Sequence, residues 1–323
     1  MDNYAQLYRW LWHEQPDPIR ARTAELLPNY DLEGLFSRLR RESNTLHDTE
    51  SIRINNVARH MFFEEFLDKS WKKSWPAPLV FKGFDYATNL YSSVSDRSSS
   101  DLDLLLPTSH FEDITHQLSQ SLSEAPPPKE NRFPWEKPSA RSFTTGNVSI
   151  DIHNSVTMPH QTRLNNEQLF EKAIPSKVRT TKVFFPSAEH RLLIWLQNFS
   201  KNAHPLSLKS VLDFTLILKQ ISKESAASSI SLSYVLGRVA PFGLSTAMNI
   251  ALSYLDTSQL WNHPIPKSML NDNIYEFDRW VRHGSGHNLM IPKAIHRVFL
   301  SPKGQRWRMI PRLLRREIKV LKP

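Results

Sequence analysis

Asp101 and Asp103 lie two residues apart in the run Asp101-Leu-Asp-Leu-Leu-Leu-Pro107. The run reads as a strand, in which alternate side chains share a face, so the two carboxylates point the same way. Two like charges at that spacing repel and call for a cation. Leu104 to Leu106 bury the rest of the strand, which leaves the acids at its beginning, near a rim. A third carboxylate, Asp151, sits in Val148-Ser-Ile-Asp-Ile-His153, with Ile150 and Ile152 facing the core and Asp151 facing away. If the two strands are neighbours, three acids converge. Oxygen ligands of this kind suit Mg²⁺ or Mn²⁺, and two such ions can activate a hydroxyl and stabilise a leaving pyrophosphate. The expectation has a plain failure condition. Asp151 pointing away from the pair, or a lysine or arginine seated on the pair, would overturn it.

Other residues near the acids bear on phosphate. Gly83 is the single glycine between Gly34 and Gly146, and it ends the apolar run Leu79-Val-Phe81 just before a helical stretch. A glycine at such a bend lets backbone approach a phosphate, and a helix N-terminus favours its charge. Lys82 and Arg97 are placed to bind the same phosphates. His153, next to the third acid, reads more readily as a structural histidine than as a ligand. Asp213 lies in Val211-Leu-Asp-Phe-Thr-Leu-Ile-Leu218, a stretch apolar nearly all round. A buried acid there needs a partner, and a salt bridge to a core arginine is the favoured role over contact with substrate.

The elements that must hold these groups follow a simple order. Residues 4–75 read as helical, most clearly at 52–71, where Ile54, Val57, Met61, Phe62, Glu65 and Phe66 trace one face. Pro76 and Pro78 stop that helix. A short strand at 79–81, a helix at 85–92, the acid-bearing strand and a helix at 111–124 come next. Prolines crowd residues 125–138, an expected surface loop. Phe143 to His153 reads as a hairpin turning at Thr145-Gly146-Asn147. From about 163 the chain reads as mainly helical, with helices at 187–200, 207–222, 231–238, 243–255 and 273–282. The expected organisation is an N-terminal helical region (1–76), a small α/β core (77–160) and a C-terminal helical region with a basic tail (161–323).

Composition narrows the classes. Of the 323 residues none is cysteine, which excludes disulfides, thiolate zinc sites and a cysteine nucleophile. No apolar run is long enough to span a membrane, and the N-terminus lacks the basic start of a signal peptide, so a cytoplasmic location is expected. Net charge is +9, but residues 301–323 carry eight Lys or Arg against one Glu. The basic character therefore belongs mainly to the tail. That tail has an apolar stripe at Ile310, Leu313, Leu314, Ile318 and Leu321; packing on the domain is favoured, with RNA, an anionic lipid surface or an acidic partner left open. The segment His283-Gly-Ser-Gly-His287 is a weak metal signal.

Taken in order, Val80-Phe-Lys-Gly83, Leu90-Tyr91, Arg97-Ser-Ser-Ser-Asp-Leu-Asp-Leu-Leu-Leu106 and Ile150-Asp-Ile-His153 resemble the uncharacterised nucleotidyltransferase family of the DNA polymerase beta-like superfamily. The resemblance covers roughly residues 50–215, including Ser187-Ala-Glu-His190 and Leu212-Asp-Phe214. It implies an α+β fold, a small mixed sheet flanked by N- and C-terminal helical regions. It also implies a nucleoside triphosphate substrate, ATP first, and Mg²⁺ or Mn²⁺ on Asp101, Asp103 and Asp151. Lys82, Gly83, Arg97 and Ser100 would bind the nucleotide, and His153 and Asp213 would lie toward the acceptor. Transfer of a nucleoside monophosphate to a small molecule or peptide is the first expectation; transfer to tRNA or protein, or a non-catalytic nucleotide-binding module, are the alternatives. The chain departs from the pattern at Phe84, where the superfamily prefers serine after the glycine, and at Asn198, where a histidine is expected.

Overall fold

The computed structural model describes residues 49–125, 140–146, 148–156, 163–202, 208–224 and 232–258. The proline-rich loop, Asn147, the helix expected at 273–282, His283 to His287 and the basic tail lie outside the described residues.

Helix α1 (Thr49–Ser70) precedes strand β1 (Leu79–Phe81), helix α2 (Gly83–Asn89), strand β2 (Asp101–Leu105) and helix α3 (Phe111–Ser119). Strands β3 (Ser123–Glu124), β4 (Ala140–Thr145) and β5 (Val148–His153) follow, then helix α4 (Asn166–Glu171) and the hairpin β6 (Ile174–Val178) and β7 (Thr181–Phe185). Helices α5 (Ala188–Asn202), α6 (Leu208–Glu224), α7 (Leu232–Val239) and α8 (Ser245–Ser258) complete the described chain. No described helix is long and apolar enough to cross a membrane.

The seven strands form one mixed sheet in the order β3-β4-β5-β2-β1-β7-β6. β2 runs antiparallel to β1 and parallel to β5, while β7 runs parallel to β1. Gly146, at φ 57°, makes the β4–β5 turn, a conformation glycine adopts at little cost. Each face of the sheet has its own cover. Val80, Leu102, Leu104, Ile150 and Ile152 pack beneath Phe63, Phe66, Leu67 and Trp71 of α1 and Phe111, Ile114 and Leu118 of α3. Leu79, Phe81 and Leu105 pack on the other side against α5, α6, α7 and α8, through Leu192, Leu196, Phe214, Ile217 and Met248. The α+β architecture expected from the sequence is the one observed.

Three local expectations need correction. The first concerns α1, whose buried face runs through Asn56, His60, Phe63, Phe66 and Leu67, while Ile54 and Met61 are exposed at 59% and 54% and Glu65 is also exposed. Apolarity alone misplaces that face because its first two turns are polar and satisfied. Asn56 donates to the Ser95 carbonyl at 3.0 Å, and His60 stacks on Phe84 with centroids 4.2 Å apart. The second concerns α3, which ends at Ser119 rather than 124. The hydroxyls of Ser119 and Ser121 bond back to the carbonyls of His116 and Leu118, a competition that ends helices. Ser123 and Glu124 then pair with β4.

The third correction is the hairpin β6–β7, which lies in the stretch read as helical. Pro175 and the exposed Ile174 disguise β6, but β6 is the edge strand, the position where a sheet tolerates proline. Its turn has no glycine or asparagine; Arg179 itself takes φ 50°, and the backbone of Thr180 is held by Asp68 of α1.

Candidate active site

Strand register assembles the acids. Asp103 pairs with Asp151 across the parallel β2–β5 ladder, and Asp101 pairs with Ser149. Paired residues in a ladder share a face, so Asp101, Asp103 and Asp151 all point to the side covered by the C-terminal helices. His153 joins them two residues beyond Asp151, its ring edge-on to Phe81 with centroids 5.0 Å apart. Ligand atoms of Asp103, Asp151 and His153 all lie within 4.8 Å of one another. Asp101 is more exposed and takes a hydrogen bond from Ser100 at 3.1 Å; Asp151 takes one from Ser149 at 3.1 Å. The third acid does not point away from the pair.

Asp103 is the buried member, 2% exposed, and two donors converge on its Oδ1: Lys82 Nζ at 2.6 Å and His153 Nε2 at 2.8 Å. Burial opposes its charge, but the Lys82 ammonium and the bond from His153 outweigh burial and hold its carboxyl well below the usual carboxylate range. For Lys82 burial works against the ammonium and Asp103 more than offsets it, so its pKa is raised. His153 is pushed down by burial and then by Lys82, so the ring is neutral near pH 7; a carboxylate can only accept, so Nε2 carries the proton. Asp101 is raised, by burial first and then by repulsion from Asp103 and Asp151.

A lysine seated on the acid pair is the condition set above for overturning a metal site, and Lys82 meets it at one member, Asp103, while Asp101 is bonded by Ser100. The lysine covers less than the whole site. Three carboxyl groups share this face with one ammonium, which bonds only to Asp103 Oδ1, and Lys82 remains 26% exposed. Its backbone is also unusual: φ 57°, ψ −126°, a region that favours glycine and costs other residues about 1–3 kcal/mol. Among the described residues the group brought close enough to share an ion is Asp103, Asp151 and His153, with Asp101 on the same face but outside that group, and such a set is compatible with a divalent cation. While its Nε2 proton is engaged by Asp103, His153 has no lone pair to offer at that nitrogen.

The phosphate-side residues fall in two groups. Lys82 and Ser100 touch the acids. Gly83 is buried, and a Cβ built there would lie 2.1 Å from Ser99 Oγ, so its lack of a side chain admits the 97–100 loop. Ser99 donates to the carbonyl of Asp101 at 2.8 Å, which ties that loop to the start of β2. Phe84, where the superfamily prefers serine, is 1% exposed and belongs to the core under α1. Arg97 is engaged by Asp213 of α6. Its Nε and Nη2 make a two-pronged contact with Asp213 at 3.1 and 2.9 Å, and Nη1 reaches the Ser98 carbonyl at 2.7 Å. Tyr91 also donates to Asp213, at 2.8 Å. Asp213 thus has the core-arginine role that its apolar helix suggested, and it holds the loop leading to Asp101.

Sequence reasoning missed a second such clamp. Arg191 of α5 grips Asp85 of α2 through Nε and Nη2, at 2.7 to 3.1 Å, and passes Nη1 to Gln220 of α6 at 2.9 Å. Both Arg191 and Asp85 are essentially inaccessible. The available signal was a lone arginine before Leu-Leu-Ile-Trp-Leu in a helix, which must find a buried partner.

This arrangement of a lysine–glycine bend, a paired-acid strand and a parallel third-acid strand coincides with a family match over residues 73–257, described as uncharacterised nucleotidyltransferase. The chain belongs to that nucleotidyltransferase family. The matched span starts just before β1 and ends within α8, so it takes in the whole sheet and the described C-terminal helices. No curated protein matches the chain.

Proposed function

We propose that this protein is a nucleotidyltransferase enzyme that moves a nucleoside monophosphate from a nucleoside triphosphate, ATP first, to a hydroxyl or phosphate of a small-molecule or peptide acceptor. Support rests chiefly on the register that sets Asp103 opposite Asp151 with Asp101 on the same face. Asp101, Asp103 and Asp151 would hold Mg²⁺ or Mn²⁺, which supplies charge neutralisation for the triphosphate. Asp151, less buried than Asp103, accepts the acceptor's proton. The acceptor oxygen bonds to the α-phosphorus, the bond from that phosphorus to the bridging oxygen breaks, and pyrophosphate leaves with the electron pair. Lys82 and Ser100 are placed to meet phosphate oxygens, and Arg97 and Asp213 position the loop that carries Ser100. A cytoplasmic site of action and a biosynthetic role belong to the same reading.

A non-catalytic nucleotide-binding module is the second reading, and the Lys82–Asp103 contact is the observation that favours it. Pyrophosphate release with each of the four nucleoside triphosphates, Mg²⁺ or Mn²⁺ and a panel of acceptors separates the two. Asp103→Asn should lower turnover at least about a hundredfold with circular dichroism unchanged. Full turnover in that variant overturns the assignment of the reaction to the Asp103 site, and tight nucleotide binding without turnover in the wild type supports the second reading.

A further inference from the structure

The Lys82 contact has features that a purely structural ion pair does not need. Its ammonium comes from a residue held at φ 57°, in a conformation that glycine would adopt more easily. The stem keeps about a quarter of its surface exposed and lies over the Phe81 ring, with Nζ 4.9 Å from the centroid. Lysine is a flexible point charge with three donors, and a single bond to Asp103 Oδ1 engages one of them. The carboxylate it covers is also the one nearest both Asp151 and His153, at the centre of the set.

We propose that Lys82 is an exchangeable resident counter-ion: it occupies Asp103 until a triphosphate draws the ammonium away, so nucleotide and divalent cation each strengthen the binding of the other. The inference rests on the nucleotidyltransferase reading of the site. A divalent cation shared by Asp103 and Asp151 is repelled by an ammonium bonded to the same carboxylate. The triphosphate offers that ammonium a denser negative partner, within reach of a side chain rooted at the β1–α2 bend. Once the ammonium leaves Asp103, its carboxylate and that of Asp151 are both available, and His153 still orients Asp103 through Oδ1. Rotation about the lysine's flexible stem is enough for the exchange, with the backbone left at the bend. Thermodynamic reciprocity then requires the two ligands to help each other by the same factor.

The test is Mn²⁺ binding to the full chain, followed by electron paramagnetic resonance, with and without the α,β-methylene analogue of ATP. In the wild type the analogue should tighten Mn²⁺ binding about tenfold. Lys82→Met should bind Mn²⁺ alone about tenfold tighter than wild type, and the analogue should tighten it by a smaller factor than it does in wild type. Lys82→Gly removes the ammonium and relieves the positive φ, so it should behave as Lys82→Met does even if the methionine variant folds poorly. Mn²⁺ affinity in both variants equal to or weaker than wild type overturns the exchange role while leaving the metal site standing. No Mn²⁺ binding in any form, with or without the analogue, overturns the nucleotidyltransferase reading and this inference together.

Discussion

Residues 82–103 enter two kinds of cation–carboxylate contact, and two of these contacts are with partners more than 100 positions away. Arg191–Asp85 and Arg97–Asp213 are two-pronged, with all four side chains nearly inaccessible. Lys82–Asp103 is single-pronged, partly open, and built on a strained backbone. Guanidinium forks lose little on being fixed because their geometry is rigid, whereas an ammonium on a flexible stem is easily redirected. The arginine clamps fasten α5 and α6 to the β1–α2 bend and to the loop before β2. The lysine acts inside the acid cluster that those clamps hold in place. The same pairing of opposite charges therefore serves as a fixed joint in one region and as a movable one in the other.

The strongest way to break this contrast is Arg191→Met. It leaves Asp85 buried without its guanidinium, and about 3–5 kcal/mol of stability should be lost in urea unfolding. If Arg191→Met melts like wild type, the arginine clamps are not fixed joints. A compensating Asp85→Leu in the same chain should recover part of the loss, since two well-packed apolar groups replace a broken pair.

Lys82→Met should cost less, about 1–3 kcal/mol at pH 7, and its cost should depend on pH in a defined sense. In the wild type the folded-state pKa of Asp103 lies below its unfolded value. Such a group contributes stability that is full above the unfolded pKa of about 3.9 and is lost as pH falls toward the folded value. Removing the ammonium removes that contribution, so the melting gap between variant and wild type should narrow as pH falls below about 4. A gap that stays constant from pH 7 to pH 3 would show that Lys82 contributes packing rather than charge. At the exposed extreme, Lys69→Ala breaks a pair with Glu65 whose members are 70% and 48% exposed. Its melt should be indistinguishable from wild type.

Much of this site could be read from residue order, because the chemistry demands it locally. An Asp-x-Asp strand must place both acids on one face, and an aspartate alternating with Ile150 and Ile152 must oppose the core. Register supplied the rest, and register depends on which strands neighbour each other, which no single stretch encodes. Asp213 announced itself as a charge in an apolar helix; its partner Arg97 looked equally suited to phosphate because an exposed loop arginine and a clamping one have the same sequence. Gly83 was legible as a close-approach position, but the approaching group proved to be Ser99. In α1 the apolar pattern failed because Asn56 and His60, polar but satisfied, hold the buried stripe and leave Ile54 and Met61 outside. The β6–β7 hairpin escaped notice because an edge strand bears proline and polar residues without penalty.

The mixed direction of the sheet also sets how much chain must close to bring each neighbour to Asp103. β1 and β2 are antiparallel neighbours, and Lys82 and Asp103 lie 21 positions apart. Asp103 and His153 are 50 positions apart, on parallel strands whose connection must pass through α3, β3 and β4 first. Shorter loops close at lower entropic cost, so the turn that brings the ammonium to Asp103 costs less to close than the connection that brings the second strand's acid beside it. The counter-charge is therefore the neighbour that Asp103 gains with the smaller loss of chain freedom.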